Sequence, residues 1–537
     1  MQKSILIFIS LVFLLSPSFA LPPDFIFGTA TAAYQIEGAY DVGWKGASIW
    51  DYFSNIKGNI NNNDTGNIAD DFYYRYEEDI ILMKKMGLKN LRISISWPRI
   101  FPTDNYDKPN SEGVRFYNDL INKLIDNGIE PWVTLFHWDL PQVYNDFSEK
   151  GTWLNENIPH KFNLYADFCF KTFGDRVKNW LTMNEIQSFA WLGYGQGIHA
   201  PGRCSKEFNA NCEKVGGGGN SSTEPYIAAH HALISHALAV KTYREKYQKT
   251  QKGRIGMTIN SDFILPFNAS DPLDIEAANT QMAFSYGWFA DPIIFGDYPE
   301  EMKRYVSGAR LPTFNETMKN LLRNSCDFLG LNYYTASYGK WTEQTGSTYS
   351  SDPQIIKTVY NASGHILGPQ ADSKWLIVYP EGLYGKLKWI NNRYNKRINY
   401  KNLEKEDKSV SLKKEGEDTY SIIIFENGVS CPGENELPIA DALNDTFRVD
   451  YVKDHLFQLN RAWEDGVPIK GYFLWSFMDN FEWADGYNVR FGIVYVDYKN
   501  NITRTVKSSG WFFADLIQKE EEKKNGRVQN GFLRVEE

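Results

Sequence analysis

Ser421-Ile-Ile-Ile-Phe-Glu-Asn-Gly428 is a run of apolar residues that delivers one carboxylate, Glu426, and stops at a turn-forming Asn-Gly pair. A continuous apolar run of this length, bounded by turn residues, is what a parallel strand covered on both faces looks like. In a parallel barrel the C-terminal tip of such a strand is where chemistry sits. A second stretch has the same design: Val177-Lys-Asn-Trp-Leu-Thr-Met-Asn184 rises to Glu185 ahead of a loop rich in glycine and aromatic residues. Two strands that each end in a glutamate point to an enzyme working with paired carboxylates.

A strand-then-helix rhythm runs on both sides of these two stretches. Phe25–Ala30 opens as a short strand; a helical pattern from Asp70 to Met86 stops at Gly87, and Leu91–Ser96 is the second strand. A helix over Val114–Asn127 ends at Gly128 before the third strand, Glu130–Phe136, and a helix over Ile158–Phe173 ends at Gly174 before the fourth, which leads to Glu185. A helix over Tyr226–Tyr247 precedes strand five, Arg254–Ile259; Cys326–Asn332, Ser421–Glu426 and Ile469–Trp475 complete the set. Eight such units predict an α/β fold, a single (β/α)8 TIM barrel over residues 21–537 with long loops at the C-terminal face. The polar, Gly/Ser-rich stretch 340–375 reads as a loop over the barrel mouth, and 391–418, dense in Lys, Glu and Asn, as a solvated insertion.

The chain has 537 residues, 42% apolar and 23% charged, without a low-complexity tract dividing it, which favours one compact enzyme. Its net charge of −9 argues against nucleic acid, because phosphate contact needs a basic footprint. The 16 Trp, 32 Tyr and 34 Phe exceed what a core requires and supply flat platforms for the C–H faces of sugars.

Residues 1–20 read as a signal peptide: a basic start at Lys3, an apolar core from Ile5 to Leu15, and Ser18-Phe-Ala20 as the cleavage signal. That core is too short to span a bilayer, so the expected destination is the secretory pathway, extracellular or vacuole/lysosome-like, with no membrane contact after cleavage. Sequons at Asn63, Asn220, Asn268, Asn315, Asn361, Asn444 and Asn501 fit a glycoprotein. Of the five cysteines, Cys204 and Cys212 lie close together in a loop and are placed to form a disulfide. Cys169 and Cys326 sit in apolar runs as buried thiols, and Cys431 is undecided.

Carboxylates at the tips of strands four and seven face each other across a barrel. Glycosidic cleavage needs that arrangement: one acid protonates the leaving oxygen while the other, ionised, meets the oxocarbenium-like carbon. A separation of about 5 Å makes the second a nucleophile and the reaction retaining.

Thr182-Met-Asn-Glu185 and Phe425-Glu-Asn-Gly428 resemble the acid/base and nucleophile motifs of glycoside hydrolase family 1, the β-glucosidase family, in its plant-like branch. The similarity runs from about Leu21 to Ala514. It implies Glu185 as acid/base and Glu426 as nucleophile in hydrolysis of a β-glycoside or short β-linked oligosaccharide through a covalent glycosyl-enzyme, with no cofactor and no metal. Gln35 in Ala33-Tyr-Gln-Ile-Glu-Gly38 resembles the glutamine that grips a vicinal diol, and His137 in Phe136-His-Trp-Asp-Leu-Pro141, with Trp138 beside it, the hydroxyl-binding histidine. Asn184 resembles the ligand of the 2-hydroxyl, and Leu474-Trp-Ser-Phe-Met-Asp-Asn-Phe-Glu-Trp483 the strand-eight signature. By that similarity Trp475 is the stacking platform, Glu482 accepts from the 4- and 6-hydroxyls, Trp483 is a further hydroxyl contact, and Phe491 lies near the 6-position. A carboxylate at Glu482 repels phosphate, which excludes 6-phosphoglycosides. Arg92 and Tyr334 resemble the partners that lower the nucleophile's pKa, and Trp375 the tryptophan that holds flat aglycones.

The chain departs from the pattern at Ile186, where the family has Pro, and at Phe425, where it has Thr and which places a bulky ring beside the nucleophile. His230, His231 and His236 share one helix at a spacing that loosely invites a metal, but the resemblance makes it an ordinary barrel helix. The same scaffold also supports transglycosylation, and modules that bind glycosides without turnover; such modules lose a carboxylate, and this chain has both.

Overall fold

The structure is a computed structural model that describes residues 19–145, 151–206, 212, 218–396 and 419–524. The eight barrel strands are β1 Ile26–Ala30, β2 Asn90–Ser94, β3 Glu130–Phe136, β4 Asn179–Asn184, β5 Arg254–Asn260, β6 Leu329–Asn332, β7 Ile422–Glu426 and β8 Ile469–Trp475. They close in the order β1-β8-β7-β6-β5-β4-β3-β2, every pairing parallel. All residues of β4 and β7 are buried, the barrel interior covering one face and the helical ring the other, which explains the apolar run of β7.

The helices Phe72–Lys85 and Ser111–Asp126 are followed by Gly87 and Gly128 at φ 75° and 74°, left-handed positions that glycine takes without a Cβ clash. The helix Ile158–Phe173 matches the expected bounds.

Inside the barrel, Trp132, Phe425 and Phe473 form a ring layer with centroids 5.2 to 5.5 Å apart. Phe425 therefore lies beneath the site, under the Arg92 guanidinium at 5.8 Å, and not in the space beside the nucleophile. Strict alternation would send neighbours Phe425 and Glu426 to opposite faces. A register shift against β6 between Ile424 and Glu426 breaks that alternation.

Two loop expectations change. Within 340–375, Ile355–Thr358 pairs with Ala336–Trp341, itself beside Phe263–Pro266, so a small sheet replaces part of the expected loop. The insertion expected from 391 begins later: Asn391–Lys396 continue the helix Glu381–Ile390, with Tyr394 fully buried and donating to Asp291 Oδ1 at 2.7 Å. The Asn395 side chain takes the Tyr420 N–H at 2.9 Å and donates to its carbonyl at 3.2 Å, pinning the chain where it returns. Residues 397–418, and residues 1–18 of the expected signal peptide, lie outside the described residues. Among the described residues no helix is long and apolar enough to cross a membrane. Cys204 and Cys212 form a disulfide with Cα atoms 5.4 Å apart, and Cys169, Cys326 and Cys431 are buried thiols.

Candidate active site

Glu185 follows β4 directly and begins the helix Ile186–Tyr194 from a left-handed conformation, φ 47°. A non-glycine residue there costs on the order of 1 kcal/mol and persists only where its surroundings fix it. Its N–H donates to the Thr258 carbonyl of β5 at 3.0 Å, which supplies part of that constraint. Ile186 occupies the first helical position, where the backbone N–H has no intrahelical partner, so the helix starts there without proline.

Glu426 ends β7. Arg92, fully buried on β2, contacts Glu426 Oε1 through Nη1, and Tyr334 Oη donates to Oε2 at 2.7 Å. The same guanidinium donates to Asn184 Oδ1 at 2.5 Å and to Thr134 Oγ1 at 3.0 Å, so its orientation is fixed by four elements. Among the described residues no cation contacts Glu185. It accepts from Asn332 Nδ2 at 2.6 Å and Ser188 Oγ at 2.7 Å, both neutral donors.

These surroundings separate the two acids. Burial, and then the charge of Glu426, push Glu185 up to about 8. Glu426 was expected to be lowered. Burial outweighs Arg92 and Tyr334 and raises it, although both pull in the expected direction and Asn332 adds to them. A carboxylate touching a guanidinium stays the more acidic of the pair.

A cavity of about 580 Å³ opens over both carboxylates. Its lining brings together His137, Asn184, Tyr334, Trp375, Trp475, Glu482, Trp483 and Phe491 with Glu185 and Glu426. Asn184 Nδ2 lies 3.1 Å from His137 Nε2; with the amide donating, the ring proton sits on Nδ1, which has no protein partner. Burial holds His137 well below its ordinary value, so it is neutral. Trp138 Nε1 donates to the Asn184 carbonyl at 2.9 Å and packs 4.4 Å from Trp483, fixing both. Trp475 Nε1 donates to Glu482 Oε1 at 3.2 Å. Trp375, half exposed at the mouth, stacks parallel to Phe491 and meets Tyr334 edge-on.

Gln35 and Arg92 are not on the lining. Gln35 Nε2 donates to Asn480 Oδ1 and the Phe481 carbonyl, each at 2.9 Å, and lies 3.4 Å from Glu482 Oε2, while its Oε1 is buried without a protein partner. Glu482 also corrects the charge argument. Burial pushes it up to about 8, so in mildly acidic solution it is a neutral acid that donates as well as accepts, and it does not repel phosphate by charge. What remains against phosphate is the lining itself, whose one basic side chain, Lys357, is paired with Asp262.

A groove of about 690 Å³ elsewhere is larger, but its charges are internally paired, Arg393 with Asp291 and Glu301 and Lys303 with Asp297. Volume alone therefore does not select the site. The three helix histidines have separate partners: His230 Nδ1 meets Tyr298 Oη, His231 Nδ1 the Trp153 carbonyl, and His236 both Thr182 Oγ1 and the Ser325 carbonyl. Sequence reasoning missed Asn332, Ser188 and Thr134. Asn332 closes the expected strand Cys326–Asn332, and its place at that tip is the available signal.

A closed parallel barrel with two buried carboxyl groups in unlike surroundings at the tips of β4 and β7 defines a glycosidase-type site. The family model of glycosyl hydrolase family 1 matches residues 18–403 and 407–522, and the chain belongs to that family. It is 45% identical over 501 residues to Beta-glucosidase 24 of Oryza sativa subsp. japonica, covering 92% of this chain and 93% of the relative. It is 42% identical over 507 residues to Beta-glucosidase 42 of Arabidopsis thaliana, covering 94% and 95%. Among solved structures, a rice β-glucosidase superposes with a TM-score of 0.84 at 39% identity, covering 92% of this chain and 98% of that one. The Humicola insolens β-glucosidase in complex with glucose gives 0.85 at 40%, covering 94% and 99%.

Proposed function

We propose that this protein is a β-glucosidase that hydrolyses terminal β-D-glucosyl residues with retention, Glu426 as nucleophile and Glu185 as acid/base. The observation that carries the reading is the unequal treatment of two buried acids: Glu426 touches a guanidinium and a phenol, Glu185 only neutral donors. The first is prepared to be an anion and the second to keep its proton. Asn332 Nδ2 donates to Glu185 Oε1 at 2.6 Å, and its nearness also favours the ionised form of Glu426.

Glu426 attacks the anomeric carbon while Glu185 gives its proton to the leaving oxygen. The new ester removes the Glu426 charge, the second cause of Glu185's raised pKa, so Glu185 ionises more easily and takes a proton from the attacking water. Water then releases glucose and restores both acids. The names of the relatives and the bound glucose in the fungal neighbour favour glucose as the sugar. The sequence of residues 1–20 and the Cys204–Cys212 disulfide favour a secretory location.

The test is release of 4-nitrophenol from a panel of 4-nitrophenyl β-glycosides by the mature protein, with Glu426→Gln as control and the anomer of the first product read by NMR. Preferred turnover of the glucoside, loss in the variant and initial β-glucose are expected. Initial α-glucose would remove the nucleophile role, and a folded wild type without turnover would leave a binding module.

A further inference from the structure

Lys386 is fully buried yet makes no ion pair among the described residues. Its Nζ donates to Ser261 Oγ at 2.6 Å and lies over the rings of Trp389 and Tyr286 at 4.7 and 5.4 Å. Burying a lysine that does no more than this is costly, and the proposed mechanism does not use it. Its polar partner among the described residues leads to the cavity: Ser261 Oγ lies 2.6 Å from Ser285 Oγ, and both serines are on the lining.

The place of these serines in the barrel says which end of a substrate they face. Ser261 follows β5, which lies between β4, carrying Glu185, and β6. The candidate sugar ligands Gln35, His137, Trp475 and Glu482 come instead from β1, β3 and β8 and the segments after them. The group that receives a proton from Glu185 is the leaving group, so the β5 side is the leaving-group side. That wall is polar beyond the serines: Asn260 Nδ2 donates to Gln187 Oε1 at 2.6 Å, both on the lining, and Asn260 Oδ1 has no protein partner.

We infer that Lys386, Ser261 and Ser285 form a donor chain that ends at an oxygen of the leaving group. Lys386 donates into one lone pair of Ser261. In this chain Ser261 directs its own proton onto Ser285 in place of the Asp262 carbonyl 3.2 Å away, and the Ser285 proton is left to move from the Gln281 and Met282 carbonyls, 3.0 and 3.3 Å away, to a guest oxygen. Each donation polarises the next, so the terminal hydroxyl is a stronger donor than an isolated serine. Lys386 is a positioning residue here; it touches no substrate. The inference rests on the glycosidase reading and adds a positioning residue to its leaving-group side.

The experiment compares cellobiose with 4-nitrophenyl β-glucoside in wild type, Lys386→Met and Ser285→Ala. Loss of one hydrogen bond predicts that the cellobiose-to-aryl ratio of kcat/KM falls about five-fold in Ser285→Ala, and Lys386→Met, which keeps that bond but loses its polarisation, should lower the ratio in the same direction by less. The change should reside in the KM for cellobiose, because the contact is made in ground and transition states alike. A loss of packing would lower both substrates together and leave the ratio unmoved, which overturns the inference. Wild type that cleaves the aryl glucoside and refuses cellobiose overturns it while leaving the β-glucosidase reading intact. Wild type that cleaves neither takes both down. Should Lys386→Met fail to fold, Ser285→Ala decides alone.

Discussion

Exchanging Glu185 for glutamine should remove nearly all turnover of poor leaving groups and make the folded protein more stable at neutral pH. The native carboxyl is pushed up to about 8 from an ordinary value of 4.5, by burial first and the Glu426 charge second. In the unfolded chain it is ionised at pH 7, so folding must place a proton on it, at a cost of about 3 kcal/mol. The sign follows from the raised folded value: this group's contribution to stability is most favourable below about pH 4.5 and is lost as pH rises towards about 8. Glutamine carries no such proton. Its Oε1 still accepts from Asn332, and its amide donates to Ser188 Oγ, which turns from donor to acceptor. The expected gain is therefore about 3 kcal/mol near pH 7, little near pH 4.5, and largest above about pH 8. Denaturant unfolding of the two proteins at several pH values reads it directly. A variant no more stable than its parent at pH 7, or a gain equal at pH 5 and pH 8, refutes the reasoning, because a gain from packing alone would not follow pH.

The same value predicts the alkaline limb of catalysis: kcat/KM for an alkyl glucoside should fall by half near pH 8 and about tenfold per pH unit beyond it. Glu482 is also pushed up to about 8, so the limb must survive in Glu482→Gln to belong to Glu185. Tyr334→Phe removes a donor from Glu426 Oε2, which should move the acid limb upward and cost about tenfold in kcat/KM. An acid limb unmoved in a folded Tyr334→Phe would mean that Arg92 alone sets the nucleophile.

The parts of the fold that the sequence made legible are those where burial leaves an unbroken signature. β7 reads as Ile-Ile-Ile-Phe because every residue in it is covered, and the short β6, with four residues, was placed three residues too early because apolar Phe328 and Cys326 precede it. The stretch from 391 was misread on composition, yet its periodicity held the answer. Leu383, Leu387, Ile390 and Tyr394 recur at helical spacing and are all buried, and Lys386 lies on that same face. A pattern test tolerant of one cation would have extended the helix and flagged Lys386 together. The motifs located the carboxylates, but not the balance between burial and Arg92 at Glu426, which depends on depth and distance that no motif encodes.

That balance also explains how one buried cation serves three buried acids. With Glu185 and Glu482 protonated, the charge of Glu426 is matched by Arg92. Glycosylation of Glu426 would leave the guanidinium unmatched, and an unpaired buried cation is costly. The nearest remedy is ionisation of Glu185, whose proton leaves with the aglycone. In the proposed mechanism the charge demanded by Arg92 thus passes from one acid to the other as the ester forms and returns when water breaks it. On this account Arg92→Met should do more than weaken the nucleophile. It should leave the first step without an anion and the second without a base, so that both glycosylation and its reversal by water slow together. Pre-steady-state release of dinitrophenol separates the steps: slow first turnover and slow steady state are expected, whereas a fast burst followed by slow turnover would confine Arg92 to the second step.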